Sequence, residues 1–223
     1  MDDISYLLSL IREGEHQQQD FKYRVADACK LAKSVSAFAN TDGGRLLIGV
    51  RDDGYLSGVR SEEEIFMMHQ AAYKYCKPEA SIKFDTYHVA PALPAGTRHT
   101  SGRGGKRTIV VATVPPSTRR PICALDEDGR LRAYVRINDE NIVASPVHLA
   151  LWRESQKAQG AMITYDADVR KLLDVMQGRL TLNQIVRLAR LPRHKVVVLL
   201  AHLIRFGNAR WEYADGHILF SLQ

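Results

Sequence analysis

Apolar positions recur with helical spacing over residues 25–39, where Val25, Ala28, Cys29, Ala32, Val35, Ser36 and Ala39 share one face and Lys30, Lys33 and Ser34 fall away from it. That helix runs into Asn40-Thr41-Asp42-Gly43-Gly44, then into the apolar run Leu46 to Val50, then into a second turn at Asp52-Asp53-Gly54. The order predicts helix, tight turn, buried strand, turn and second strand. Asn40 suits a helix C-cap, and the glycine pair lets the chain reverse sharply. Upstream, Ile4, Leu7, Leu8 and Ile11 mark a short helix that Gly14 ends, and His16 to Tyr23 alternates as a strand with Asp20 and Lys22 on the side opposite Phe21. Downstream, a helix is expected from Ser61 to about Pro78, strands over 81–89, 108–114 and 132–137, and a Pro-, Gly- and Arg-rich loop over 90–106. Pro146 to Gln159 carries a further helical pattern that ends near Gly160.

From Asp166 the pattern changes. Helices are expected over 166–176, 181–189 and 193–206, the second capped by Thr181, followed by a hairpin turning at Asp215-Gly216. The chain therefore reads as α+β, with a mixed α/β domain over residues 1–160 and a small three-helix-and-hairpin domain over 161–223. The tail resembles a winged helix-turn-helix.

The GEHQQQDFK segment from Gly14 to Lys22, the AFANTDGG turn and the LLIGVRDDG run, with Tyr134-Val135-Arg136 and Asn138 as a closing strand, resemble the AlbA_2 domain of Schlafen proteins. That resemblance spans about the first two thirds of the chain. It implies a nucleic-acid-binding module, and the Schlafen-type nucleases within it imply a site made of Glu15, Asp20 and Lys22 with Asp52 or Asp53 as a further carboxylate. Glu15, Asp20 and Asp52 would hold magnesium or manganese, and Lys22 would neutralise charge developing on a phosphodiester. Asp20 stands where the family's second carboxylate is a glutamate. The competing reading makes Asp20 and Lys22 an exposed strand pair and Glu15 a turn residue.

Composition adds a direction. The formal charge of +6 favours an anionic partner, first nucleic acid and next an acidic protein surface. Between Arg98 and Arg136 the cations Arg98, Arg103, Lys106, Arg107, Arg119, Arg120, Arg130, Arg132 and Arg136 are opposed by Asp126, Glu127 and Asp128 alone. Such a stretch suits phosphate contacts, and it equally suits an ordinary solvated loop. Gly43 and Gly44 serve either turn geometry or the close approach of a phosphate. In the tail, a third helix with Val196, Leu199, Leu200 and Leu203 inward would turn His194, Lys195, Val198, Ala201, His202 and Arg205 outward. Arg193, Lys195 and Arg205 there, with Arg210 on the hairpin, are candidate backbone contacts.

Other chemistries lack support. There is no GxxxxGK[ST] run, the eight histidines show no ligand spacing, and Cys29, Cys76 and Cys123 form neither a CxxC site nor an even disulfide set. With no export signal or membrane-spanning run, a cytoplasmic protein is expected. The expectation is a DNA-binding, regulator-like protein, with RNA as another polymer, a homodimer as a plausible state and no membrane partner. A metal-dependent nuclease acting on RNA or single-stranded DNA is the alternative, and a protein-interaction module is a third reading.

Overall fold

The computed structural model describes residues 3–89, 107–156 and 166–223. The chain divides into two compact units, Met1–Val143 and Ala144–Gln223.

The first unit is layered. Helix α1 (Asp3–Glu13) leads into strand β1 (Gln19–Lys22), α2 (Ala28–Asn40) and β2 (Gly44–Ile48). Next come α3 (Ser61–His69), continued by a wider turn over Gln70–Lys74, then β3 (Cys76–Lys77), β4 (Lys83–Val89) and β5 (Arg107–Val114). Strands β6 (Cys123–Leu125), β7 (Leu131–Ile137) and β8 (Glu140–Val143) complete it. One sheet has the order β1-β2-β5-β4, with β1 parallel to β2 and the remaining pairs antiparallel. The other has the order β3-β6-β7-β8.

Leu7 and Leu10 of α1 cover one face of the first sheet over Phe21, Leu47, Val50, Ile109 and Val111. The opposite face, carrying Leu46, Ile48, Val110, Ala112 and Val114, packs on Leu31, Val35 and Phe38 of α2. Alternation along the strands dictates this division, because residues 46 and 48 must point opposite to 47. Helix α2 also meets β6 and β7, so it is buried nearly all round rather than on one stripe. Ser34, expected to face water, is buried accordingly.

The second unit begins with α4 (Pro146–Ser155) and continues through α5 (Ala167–Val175), β9 (Leu180–Thr181), α6 (Leu182–Ala189) and α7 (Arg193–Arg205) to the hairpin β10 (Ala209–Ala214) and β11 (His217–Leu222). Its sheet has the order β10-β11-β9. Thr181 caps α6, as the sequence pattern expects, and forms a capping box with Gln184, while Asp166 caps α5. The helix over 146–155, expected to close the first domain, differs. Its Val147 and Ala150 pack with Leu172, Ile185, Leu200 and Phe220, which moves the boundary from residue 160 to 144.

Candidate nucleic-acid interface

Strand β1 places Asp20 and Lys22 two residues apart on one side, with Phe21 buried on the other. Lys22 Nζ stands 2.5 Å from Asp20 Oδ2. Glu15 reaches the same strand by accepting a 2.8 Å hydrogen bond from the Phe21 backbone N–H. Partial burial pushes the Glu15 carboxyl above its usual range, the Phe21 bond opposes that, and the neighbouring Asp20 carboxylate adds to the rise. Three of the four residues expected at a nuclease centre thus converge.

The fourth does not complete a metal site. Asp52 lies on the exposed turn after β2, and among the described residues no group of three or more His, Cys, Asp or Glu side chains could hold a metal ion. The oxygens of Asp20 are already engaged, Oδ2 with Lys22 and Oδ1 with Arg136 Nη2 at 3.3 Å. The Glu15, Asp20 and Asp52 set therefore does not fit magnesium or manganese as the sequence expectation required. The physical reason is that Asp20 neutralises a buried guanidinium.

That guanidinium corrects a second expectation. Arg136 is 1% exposed, against a phosphate-contacting role. It donates to Asn141 Oδ1 at 3.0 Å and to the Gln19 carbonyl at 3.4 Å, and lies 5.1 Å from the Phe38 ring centroid. It joins β7 to β1 and meets no solvent.

The glycine pair is also structural. Gly43 has φ +74°, its N–H donates to the Phe38 carbonyl at 3.0 Å, and a Cβ there would stand 2.8 Å from Pro116 Cδ. A Cβ on Gly44 would lie 2.3 Å from the Phe38 ring. Asn40 is no C-cap but a buried tie to the second sheet. Its amide donates to the Ile122 and Tyr134 carbonyls at 2.8 and 3.0 Å, and accepts from the Ile122 N–H at 2.8 Å. Moreover Lys22 pairs with Ile48 while Gly44 opens the same strand. Four residue steps, about 13 Å, separate Lys22 from the glycines, so the two cannot hold one phosphate.

What does gather around Lys22 is a different set. The ends of β1 and β2 and the start of the antiparallel β5 share one end of the sheet. Arg107, expected as a contact, is there. Exposed Tyr23 and Arg24 follow Lys22 directly, and the turn after β2 contributes Arg51 and Tyr55. Lys22, Arg24 and Lys30 border a depression of about 210 Å³ at the start of α2. The exposed Asp52 and Asp53 are the acids of that turn, and Asp53 Oδ1 accepts from the Tyr55 N–H at 2.9 Å. Sequence reasoning passed over Tyr23, Arg24, Arg51 and Tyr55. The interleaving of aromatic and basic residues at both strand ends was the available signal. Arg98, Arg103 and Lys106 lie outside the described residues.

In the second unit the expected contacts divide. Arg193 and Arg210 are exposed, with Arg193 Nη1 donating to Asn183 Oδ1 at 2.6 Å and Arg210 Nε to Ser221 Oγ at 3.3 Å. Lys195 is ion-paired with Asp168, whose carboxyl it holds below the usual range while its own ammonium is raised. Arg205 Nη1 donates to the Glu154 carbonyl at 2.6 Å, bracing α7 against α4. Ala201, expected outward, is buried, because α4 covers that side of α7.

A protein-family model described as Schlafen, AlbA_2 matches residues 15–145, more than half of the chain. The chain belongs to the Schlafen AlbA_2 family. This family is associated with nucleic-acid binding or nuclease-like function. Its matched region nearly fills the first unit. Among solved structures, the DIP2311 protein from Corynebacterium diphtheriae matches with 19% identity over 89% of this chain and a TM-score of 0.43. The chain spans 36% of the length of that protein. No helix among the described residues is long and apolar enough to cross a membrane.

Proposed function

We propose that this Schlafen AlbA_2 protein binds nucleic acid at the Lys22 end of its first sheet, as a regulator-like DNA-binding protein of the cytoplasm rather than as an enzyme. The observation that carries the reading is the meeting of Lys22, Arg24, Arg51 and Arg107 at that end, where Asp20 is held between Lys22 and the buried Arg136, Asp27 is spent on capping α2, and Asp52 and Asp53 are the acids of the intervening turn. Cations on short loops held by a rigid sheet contact phosphates without choosing a sequence. The second unit acts in this reading as a winged helix. Arg193 and Arg210 touch backbone phosphates, and Lys195 and Arg205 hold α7 in place. Two modest contacts on one chain raise the effective concentration of each for the other.

The test is a salt titration of full-chain binding to duplex DNA, single-stranded DNA and RNA, with and without magnesium. Binding that falls steeply with salt, and falls less steeply after Lys22→Gln with Arg24→Gln, supports the proposal. Binding of no polymer at low salt overturns it. Glu15, Asp20 and Lys22 converge without completing a metal site, so the nuclease stands as the second reading; magnesium- or manganese-dependent cleavage lost in Glu15→Ala would establish it and displace the first.

A further inference from the structure

The arginines at the open sheet end are interleaved with tyrosines. The Arg51 guanidinium carbon lies 5.3 Å from the Tyr23 ring centroid and 5.1 Å from that of Tyr55, and the Arg107 guanidinium carbon lies 5.3 Å from the Tyr55 ring. These separations are within the range of cation–π attraction. The result is a row, Tyr23, Arg51, Tyr55 and Arg107, drawn from three strand ends that are far apart in sequence. Its rings are not core residues. Tyr23 is 51% exposed and Tyr55 41% exposed, a large apolar area to leave in water beside four cations.

The row is also fixed in advance. Arg107 Nη1 donates to the Tyr55 hydroxyl at 2.9 Å and to the Leu56 carbonyl at 2.5 Å. Asp53 holds the Tyr55 N–H, and the Arg51 N–H donates to the Tyr55 carbonyl at 3.0 Å. The Arg107 and Tyr55 side chains therefore have little freedom left to lose when a flat ligand joins the row. A duplex offers such a surface only its phosphates, since its bases already stack on one another. An unpaired strand offers both phosphates and free base faces.

We propose that Tyr23, Arg51 and Tyr55 form a stacking platform for the unpaired bases of a single-stranded nucleic acid, with Lys22, Arg24 and Arg107 taking its phosphates. The proposal rests on the nucleic-acid reading above and gives it a substrate class. Stacking is indifferent to base identity, so the platform selects strandedness rather than sequence. The shared chemistry is a base on a phosphodiester chain, and ribose or deoxyribose is decided by experiment.

The test uses the full chain and fluorescein-labelled oligo-dT, oligo-rU and a hairpin duplex, read by anisotropy at fixed salt. Wild type is expected to prefer at least one single strand to the duplex, and whichever of oligo-dT and oligo-rU binds more tightly names the sugar. Tyr23→Ala should lower affinity for that strand about tenfold and affinity for the duplex far less. Tyr23→Phe should restore it, because the ring and not the hydroxyl stacks. In Tyr23→Trp, single strands should quench emission beyond any change seen in wild type, whose Trp152 and Trp211 supply the background, and the duplex should not. Equal losses for single strand and duplex in Tyr23→Ala, or no loss for either, would overturn the platform while leaving the phosphate reading standing. Failure of wild type to bind any of the three probes would overturn both. Tyr23 is half in water, so the substitution is tested in a folded protein, checked by an unchanged thermal unfolding midpoint.

Discussion

The two ends of the first sheet use similar residue types for opposite purposes. At the Gly44 end the chain is closed upon itself. Pro116 covers Gly43, the Phe38 ring fills the space against Gly44, and Asn40 is saturated by the backbone of the second sheet. At the Lys22 end, cations and phenol rings stand in water. The groove at the closed end has Glu13, Asp42 and Arg45 in its wall, and Arg45 is paired with Glu13. Such an end holds no surplus of positive charge for a phosphate. Glycines and a buried arginine thus organise the closed end, while exposed arginines leave the other end available for binding.

The largest test of this contrast concerns Arg136. If it is an internal tie, Arg136→Met leaves Asp20 with one of its two cations and empties a buried site. A loss of about 3 kcal/mol or more in urea unfolding is expected, with the salt slope of nucleic-acid binding unchanged in the folded fraction. A stable variant with a shallower slope would return Arg136 to the phosphate contacts. Gly44→Ala comes next. Its new methyl meets a ring with no accessible surface and no room to retreat, and overpacking of this kind costs about 1–3 kcal/mol. Unchanged stability with weakened binding would instead place a ligand at the closed end.

At the open end the expected effects reverse. Lys22→Gln with Arg24→Gln should change unfolding by less than about 1 kcal/mol, because Arg24 is exposed and Asp20 keeps its bond from Arg136. The same pair should flatten the logarithmic salt dependence by up to about two, one for each phosphate that no longer meets a cation. A slope that does not move would mean that the polymer lies elsewhere.

Much of this architecture was legible in the chain and some of it could not be. Periodicity marked α2, β1 and β2, and the capping residue Thr181 marked a helix of the second unit. Family resemblance pointed to Glu15, Asp20 and Lys22, which lie side by side on β1 and its approach. What escaped depends on pairings between distant segments. Nothing local to Asn40 says that Ile122 and Tyr134 will claim its amide, and nothing local to Arg136 says that Asp20 will meet it in the core. The α4 helix was assigned to the wrong unit because an apolar stripe states that a partner exists and not which one. Parallel pairing of β1 with β2 set Lys22 four residues from Gly44, a consequence of register that separate motifs do not carry.

The smallest expected effect concerns Glu15, which borders the open end and bears on both readings of it. Its carboxyl is raised by burial and by Asp20, so it becomes neutral at a higher pH than an ordinary glutamate. As pH falls through that raised value, one negative charge near Lys22 disappears, and affinity for a polyanion should rise. Glu15→Gln keeps an oxygen for the Phe21 N–H and is neutral at every pH. It should therefore bind at neutral pH about as well as wild type or up to severalfold better, with a flatter pH profile through the acid range. The change is small because Glu15 is only partly buried and water screens it. A Glu15→Gln variant that loses binding altogether would mean that the carboxylate itself is the contacting group, which a phosphate-holding surface does not need and a metal-holding one does.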